Sequence, residues 1–142
     1  MEKELVVRDQ IKINATPERV WEVLTKTEYY RQWDDVPEDF TGDSLQLDSV
    51  MEWKGYSKLT VVEYEPNKTL KLSLFLPKVA DSISYDISYT YTIRSCDEDK
   101  TLLGIQIGDF SPLPNAEDYY EASLEFFETA KDQIKTLAEK GQ

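Results

Sequence analysis

Polar and apolar positions alternate from Leu5 to Ile13, with Val7, Ile11 and Ile13 on one face and Arg8, Gln10 and Lys12 on the other. That period of two predicts a strand with one buried side. The period then changes. Val20, Val23 and Leu24 recur at i, i+3 and i+4 with Trp21 beside them, which is one apolar face of a helix. Thr16 suits the N-cap, its hydroxyl accepting from an orphan backbone donor. Pro17 at the first helical position lacks an N–H that would have had no partner there, and Glu18 places an acid where the helix dipole favours it. Lys26 closes this helix, and Glu28 to Trp33 predicts a second short one carrying three aromatics.

An acidic loop over Asp34–Asp43 leads to two short expected strands, Ser44–Asp48 and Ser49–Lys54, with a turn at Gly55-Tyr56. A strand follows over Lys58–Glu65. Glu65-Pro66-Asn67-Lys68 is a turn by its chemistry, since Pro suits position i+1 and Asn tolerates the next. Leu70, Leu72, Leu74 and Leu76 then alternate with Lys71, Ser73 and Phe75. The longest alternation runs from Ile83 to Ile93, where Ile83, Tyr85, Ile87, Tyr89, Tyr91 and Ile93 share one face. Cys96 to Asp99 reads as a polar turn, and Thr101–Phe110 as the last strand. Helical period returns in Tyr119, Ser123, Phe126, Phe127, Ala130, Ile134 and Leu137, with Asn115 as the expected N-cap. A long helix with such a face has to cover something, and the concave side of the sheet is the only partner large enough. The expected fold is therefore α+β: a helix-grip arrangement in which a curved antiparallel sheet wraps around a long C-terminal helix, with two short helices after the first strand. At 142 residues, one domain over 1–142 is expected.

The run Ala15-Thr16-Pro17-Glu18-Arg19-Val20-Trp21, followed by Leu24-Thr25 and then Trp33, resembles the START/SRPBCC superfamily. Within it the chain is most similar to small bacterial homologues of the heat-shock-chaperone ATPase activator. Val61 to Leu70 resembles the strand–turn–strand pattern of that group. The resemblance spans essentially the whole chain and implies the helix-grip fold. Its functional implication is broad, because the superfamily hosts carriers, cyclases, hydrolases and chaperone regulators.

Composition narrows the choice. A net charge of −12 argues against nucleic-acid or anionic-membrane partners, since phosphate contacts need Lys and Arg. The N-terminus has charged residues throughout and no apolar core of a secretory signal, and no apolar run approaches the roughly 20 residues of a membrane span. The single Cys96 can form no internal disulfide, which fits a cytoplasmic setting. The chain has no histidine, so a His-based triad or dyad and His-ligated zinc are excluded. Cys96 alone builds no metal site, and no cofactor is expected. The missing His leans against an enzyme, with cyclase- or hydrolase-like activity not excluded.

Candidate chemistry concentrates on the inward face. Tyr85, Tyr89 and Tyr91 are an unusual choice for a dry core, because a buried phenol needs a hydrogen-bond partner. Two readings stay open: rings packed against the long helix, or a pocket with apolar walls and a few polar handles. An empty cavity of ~300 Å³ at ~24 cal/mol per Å³ would cost roughly 7 kcal/mol, against a typical total stability of ~5–15 kcal/mol. A pocket should therefore hold water, hold ligand or be filled by side chains. The candidate ligand-binding residues are Leu72 and Leu74 on one strand, then Tyr85, Ile87, Tyr89 and Tyr91 on the next, with Ile105 on the last. Tyr119, Ser123, Phe126 and Phe127 are the helix's contribution. Trp33 and Trp53 complete the set; Trp33 either fastens the second helix or, with Tyr29 and Tyr30, forms a lip at the entrance. Asp9 falls on the face of Val7 and Ile11, as a rim residue or a cavity carboxylate. The expected function is a small ligand-binding domain enclosing a hydrophobic or amphipathic molecule. The alternative is a protein-interaction module that regulates a chaperone ATPase or other partner, its acidic surface meeting a basic one.

Overall fold

The computed structural model describes residues 5–34, 40, 42–53, 57–76, 87–97 and 100–140. The elements run β1 (Val7–Ile13), α1 (Pro17–Thr25), α2 (Thr27–Trp33), β2 (Val50–Trp53), β3 (Ser57–Glu65), β4 (Thr69–Phe75), β5 (Ile87–Asp97), β6 (Lys100–Gly108) and α3 (Ala116–Lys140). Six strands form one curved antiparallel sheet in the order β1-β6-β5-β4-β3-β2, and the long α3 lies along it with the two short helices. This is the helix-grip fold. No helix among the described residues is long and apolar enough to cross a membrane.

The local signals explain the boundaries. Thr16 sits in extended conformation and its hydroxyl oxygen accepts from the Arg19 N–H at 3.2 Å, which caps α1 ahead of Pro17. Lys26 ends α1 and opens α2, so the two helices share one break. The Glu65–Lys68 turn closes with a 2.9 Å bond from the Lys68 N–H, and Asn67 adopts a φ of 64°. An Asn tolerates that left-handed value better than most residues.

Four expectations are corrected. Ser44–Asp48 is no strand: Ser44 makes one isolated bridge to Lys26. The Gln46 N–H donates to Ser49 Oγ at 2.8 Å, and Asp48 adopts a φ of 70°. Short polar side chains that bond their own backbone favour turns over ladders. Cys96 and Asp97 belong to β5, which passes a bulge after Ser95 and still pairs Asp97 with Lys100. Asn115 has a φ of 57° instead of the extended backbone of a side-chain cap, and its carbonyl receives the Asp118 N–H at 3.0 Å. The last strand stops at Gly108, not Phe110. There the φ is 139°, and a Cβ would come within 2.8 Å of the Leu5 carbonyl oxygen, so only glycine fits. The Asp109 carboxylate then takes both the Leu5 and Ser111 N–H groups, at 3.0 and 2.9 Å, and ties the end of β6 to the start of β1. The Gly55-Tyr56 turn and the Ile83–Asp86 part of the long alternation lie outside the described residues.

The core fills the space between sheet and helices. Ile13, Val20, Val23, Leu24, Leu103 and Ile134 are fully buried in it. Two of its polar groups pair with the backbone: Thr101 Oγ1 donates to the Ala15 carbonyl at 2.7 Å, and Trp33 Nε1 donates to the Val23 carbonyl at 2.9 Å. The C-terminal half of α3 is clamped. Arg19 donates to the Leu137 and Ala138 carbonyls at 2.9 and 3.3 Å, satisfying acceptors that a helix end leaves open. Lys135 Nζ donates to the Lys12 carbonyl at 3.1 Å, and the Asn14 N–H donates to Glu139 at 2.8 Å. The α3 backbone runs close to β1, α1 and α2. That clamp at one end leaves the first half of α3 to face β3, β4 and β5 across side chains alone.

Candidate functional site

A cavity of about 450 Å³ lies in that space, open to solvent on one side. Leu59 of β3, Leu74 of β4 and Leu76 just beyond it form one wall, with Trp53 of β2 at the edge. Tyr89 of β5, Phe110 after β6, and Tyr119, Ala122, Ser123 and Phe126 of α3 form the other. Ser57 and Asp34 complete the lining. The aromatic side is ordered by ring contacts: Tyr89 meets Phe126 edge-on at 6.3 Å between centroids, and Phe110 stacks on Tyr119 at 6.1 Å. Mostly apolar walls with a few polar groups are the usual make-up of a small-molecule site.

The structure divides the candidate residues into two sets. Trp53, Leu74, Tyr89, Tyr119, Ser123 and Phe126 lie on the cavity wall. Leu72, Ile87, Tyr91, Ile105 and Phe127 point the same way from their elements but are enclosed in the core beneath it. Trp33 belongs with them. At 4% exposure it is buried, its ring centroid 6.0 Å from that of Tyr91, and fastens α2 rather than forming a lip. Tyr29 is held under the Arg19 guanidinium at 4.7 Å, away from an entrance role. Tyr85 lies outside the described residues. Asp9 is a rim residue of β1, exposed and 3.4 Å from Lys131 Nζ of α3.

Asp34, Ser57, Leu59, Leu76, Phe110 and Ala122 line the cavity without having been singled out as ligand-binding residues. Leu59 and Leu76 carried a signal, since each continues an inward alternation. Asp34 carried one too: it stands four residues after Tyr30 on α2, and the Tyr30 hydroxyl donates to its Oδ2 at 3.0 Å. Phe110 had none, because it follows the glycine that ends β6 and obeys no period.

A second hollow of about 660 Å³ borders α2, lined by Lys26, Glu28, Arg31, Phe40 and Asp43 among others. Its charges are of both signs, so it offers an apolar molecule little. Among the described residues no group of three His, Cys, Asp or Glu is placed to hold a metal ion.

Burial and charge act together on the phenols. Burial first, then the Asp34 carboxylate, push Tyr89 up to about 12 from an ordinary 10.0. The same two causes raise Tyr30 and Tyr91 well above that ordinary value. Tyr89 keeps some accessible surface because it borders the cavity, while protein surrounds the ring on its other sides. These phenols bind their protons more tightly folded than unfolded. Stability is therefore full below pH 10 and falls as pH rises through about 12, with Tyr89 alone accounting for about 2–3 kcal/mol. The urea midpoint should hold up to about pH 10 and drop between about pH 10 and about pH 12, and Tyr89→Phe should soften that drop. An unchanged wild-type midpoint would show that the phenols are not buried beside Asp34.

Known proteins share this fold. The family model for Activator of Hsp90 ATPase homolog 1-like protein matches residues 14–139. Protein MLL2253 from Mesorhizobium loti superposes with a TM-score of 0.75 at 18% identity, over 96% of this chain and 98% of that one. CalU16 from Micromonospora echinospora gives 0.68 at 18% identity, over 92% and 72%. A subunit of the Aha1 dimer from Colwellia psychrerythraea gives 0.65 at 16%, over 92% and 96%. At these identities the likeness is one of fold. Among curated proteins, none matches the sequence.

Proposed function

The chain belongs to the Activator of Hsp90 ATPase homolog 1-like family, and from that premise we propose that it is a ligand-binding domain enclosing a small hydrophobic or amphipathic molecule between its sheet and α3. The reading takes residues 1–142 as one domain. The observation that carries it is the cavity of about 450 Å³. Because the cavity opens to solvent, water fills it when no ligand does, and it carries none of the cost of an empty enclosed void. Larger side chains at Leu74 or Ala122 would fill it, so its retention supports a use for the space. Trp53, Leu74, Phe110 and Phe126 supply apolar contact, while Tyr89, Tyr119, Ser123 and Asp34 supply polar handles. The exposed thiol of Cys96 supports a reducing, cytoplasmic setting.

A second reading draws on the family itself. Its description names an activator of a chaperone ATPase, and Glu117, Asp118, Glu121, Glu125 and Glu128 are all exposed along α3. In that reading the acidic helix docks on a basic protein surface, with affinity that falls steeply with salt.

Native mass spectrometry of protein purified gently from its own cells separates the two. The expected result is an excess of roughly a few hundred daltons, the size such pockets take, that disappears on denaturation. A bare mass, with no uptake of an apolar fluorescent dye afterwards, would reject the ligand-binding reading in favour of the surface one.

A further inference from the structure

Two polar groups of the cavity come from different elements. Asp34, at the C-terminal end of α2, and Tyr89 of β5 both line the space. Tyr30 and Tyr91 stand behind them, with the Trp33 ring centroid 4.4 Å from that of Tyr30 and 6.0 Å from that of Tyr91. The Asp34 charge is felt by all three phenols, so the four groups form one cluster. Within it Tyr30 and Tyr89 differ. The Tyr30 hydroxyl donates to Asp34 Oδ2 at 3.0 Å and holds the carboxylate in place. What keeps the proton on Tyr89 is burial and then the charge of Asp34, with no hydrogen bond contributing. Among the described residues, the Tyr89 hydroxyl is thus a donor facing an apolar cavity without a protein acceptor. Among the described residues no buried side-chain donor or acceptor is left unpaired, so the Tyr89 hydroxyl is open to the cavity, where a ligand oxygen can accept its proton in place of water.

We propose that the ligand is an uncharged, largely apolar molecule bearing a hydroxyl or carbonyl oxygen, which accepts a hydrogen bond from Tyr89 Oη. This rests on the ligand-binding reading above and specifies its chemistry. The cavity volume equals that of about 15 waters at ~30 Å³ each, which suits one or two fused rings. A carboxylate at the same place is disfavoured. The two causes that oppose negative charge on the Tyr89 oxygen, burial and Asp34, oppose it on any atom bonded there, and a chain of net charge −12 adds to them. Asp34 and the net charge would attract an ammonium group, but it has no lone pair to accept the Tyr89 proton, so the amine probe below decides against or for it.

Calorimetric titration of the full chain near neutral pH with four matched probes tests this: 2-naphthol, naphthalene, 2-naphthoate and 2-naphthylmethylamine. The expected order places 2-naphthol first, about tenfold tighter than naphthalene, as one hydrogen bond allows, with 2-naphthoate the weakest. Tyr89→Phe should erase the advantage of 2-naphthol and leave naphthalene unchanged, which also shows that the variant is folded. Tyr120→Phe, which alters a phenol of α3 outside the cavity lining, should preserve the wild-type order. If naphthalene equals 2-naphthol, if the naphthoate or the amine binds tightest, or if the advantage survives in Tyr89→Phe, this inference is overturned and ligand binding as such still stands. If none of the four binds, the ligand-binding reading itself fails, and this inference with it.

Discussion

Replacing Phe127 by alanine should lower folding stability by about 3–5 kcal/mol, the range for deleting a fully enclosed aromatic ring. Phe127 is 1% exposed and sits midway along α3, where the helix meets the core under the cavity. Its ring also carries the Lys131 ammonium at 5.5 Å from the centroid. Neighbours on a rigid sheet cannot collapse into the space it leaves, so the loss should lie toward the upper end. Phe126 is the informative comparison. It is one residue away, but part of its ring borders the cavity, so Phe126→Ala removes fewer contacts and should cost about half as much. Urea unfolding of the two variants beside wild type measures both. A Phe127→Ala loss below about 1 kcal/mol would mean that α3 does not rest on the sheet at that point.

Leu74→Trp should cut affinity for an apolar ligand by at least about a hundredfold while changing stability by less than about 1 kcal/mol. The added indole has somewhere to go, because Leu74 lines a cavity of about 450 Å³. Leu72→Trp should do the reverse. Leu72 is two residues earlier on β4 and points the same way, but it is 1% exposed and enclosed between Val61 and Tyr89 in the sheet. Overpacking there costs about 1–3 kcal/mol or more. Dye binding and urea unfolding on the same two proteins give the answer. Equal destabilisation by both substitutions would show that the cavity is already closed by side chains.

Those two leucines also mark how far the chain could be read in one dimension. Alternation places Leu72 and Leu74 on one face of one strand, and the observed register agrees. It carries no information on which of them meets packed side chains and which meets open space. That depends on where α3 lies, and α3 is held by contacts such as Arg19 to Leu137, 118 residues apart. The same holds for Trp33. Its place among aromatics suggested either an anchor or a lip, and the bond from its indole N–H to the Val23 carbonyl settles on the anchor. The β6 end and the turn before β2 were misplaced for a more local reason. At Gly108, and at Asp48 with Ser49, backbone conformation and short polar side chains override the hydrophobic pattern.

The sequence by itself determined the fold class, the cap and length of α1, the Glu65–Lys68 turn, and the inward faces of β4, β5 and α3. Each of these follows from interactions within a few residues or from a repeating period, and such signals survive in one dimension. The absence of histidine and the charge of −12 likewise needed no coordinates. Only the tertiary structure decided that Tyr89 faces a cavity while Tyr91, two residues on, lies buried in the core. It alone brought Asp34 from the end of α2 to that cavity, beside a phenol of β5. The physical reason is the clamp at the far end of α3: a rigid helix held at one end fixes the gap at the other, and no local rule encodes the width of that gap.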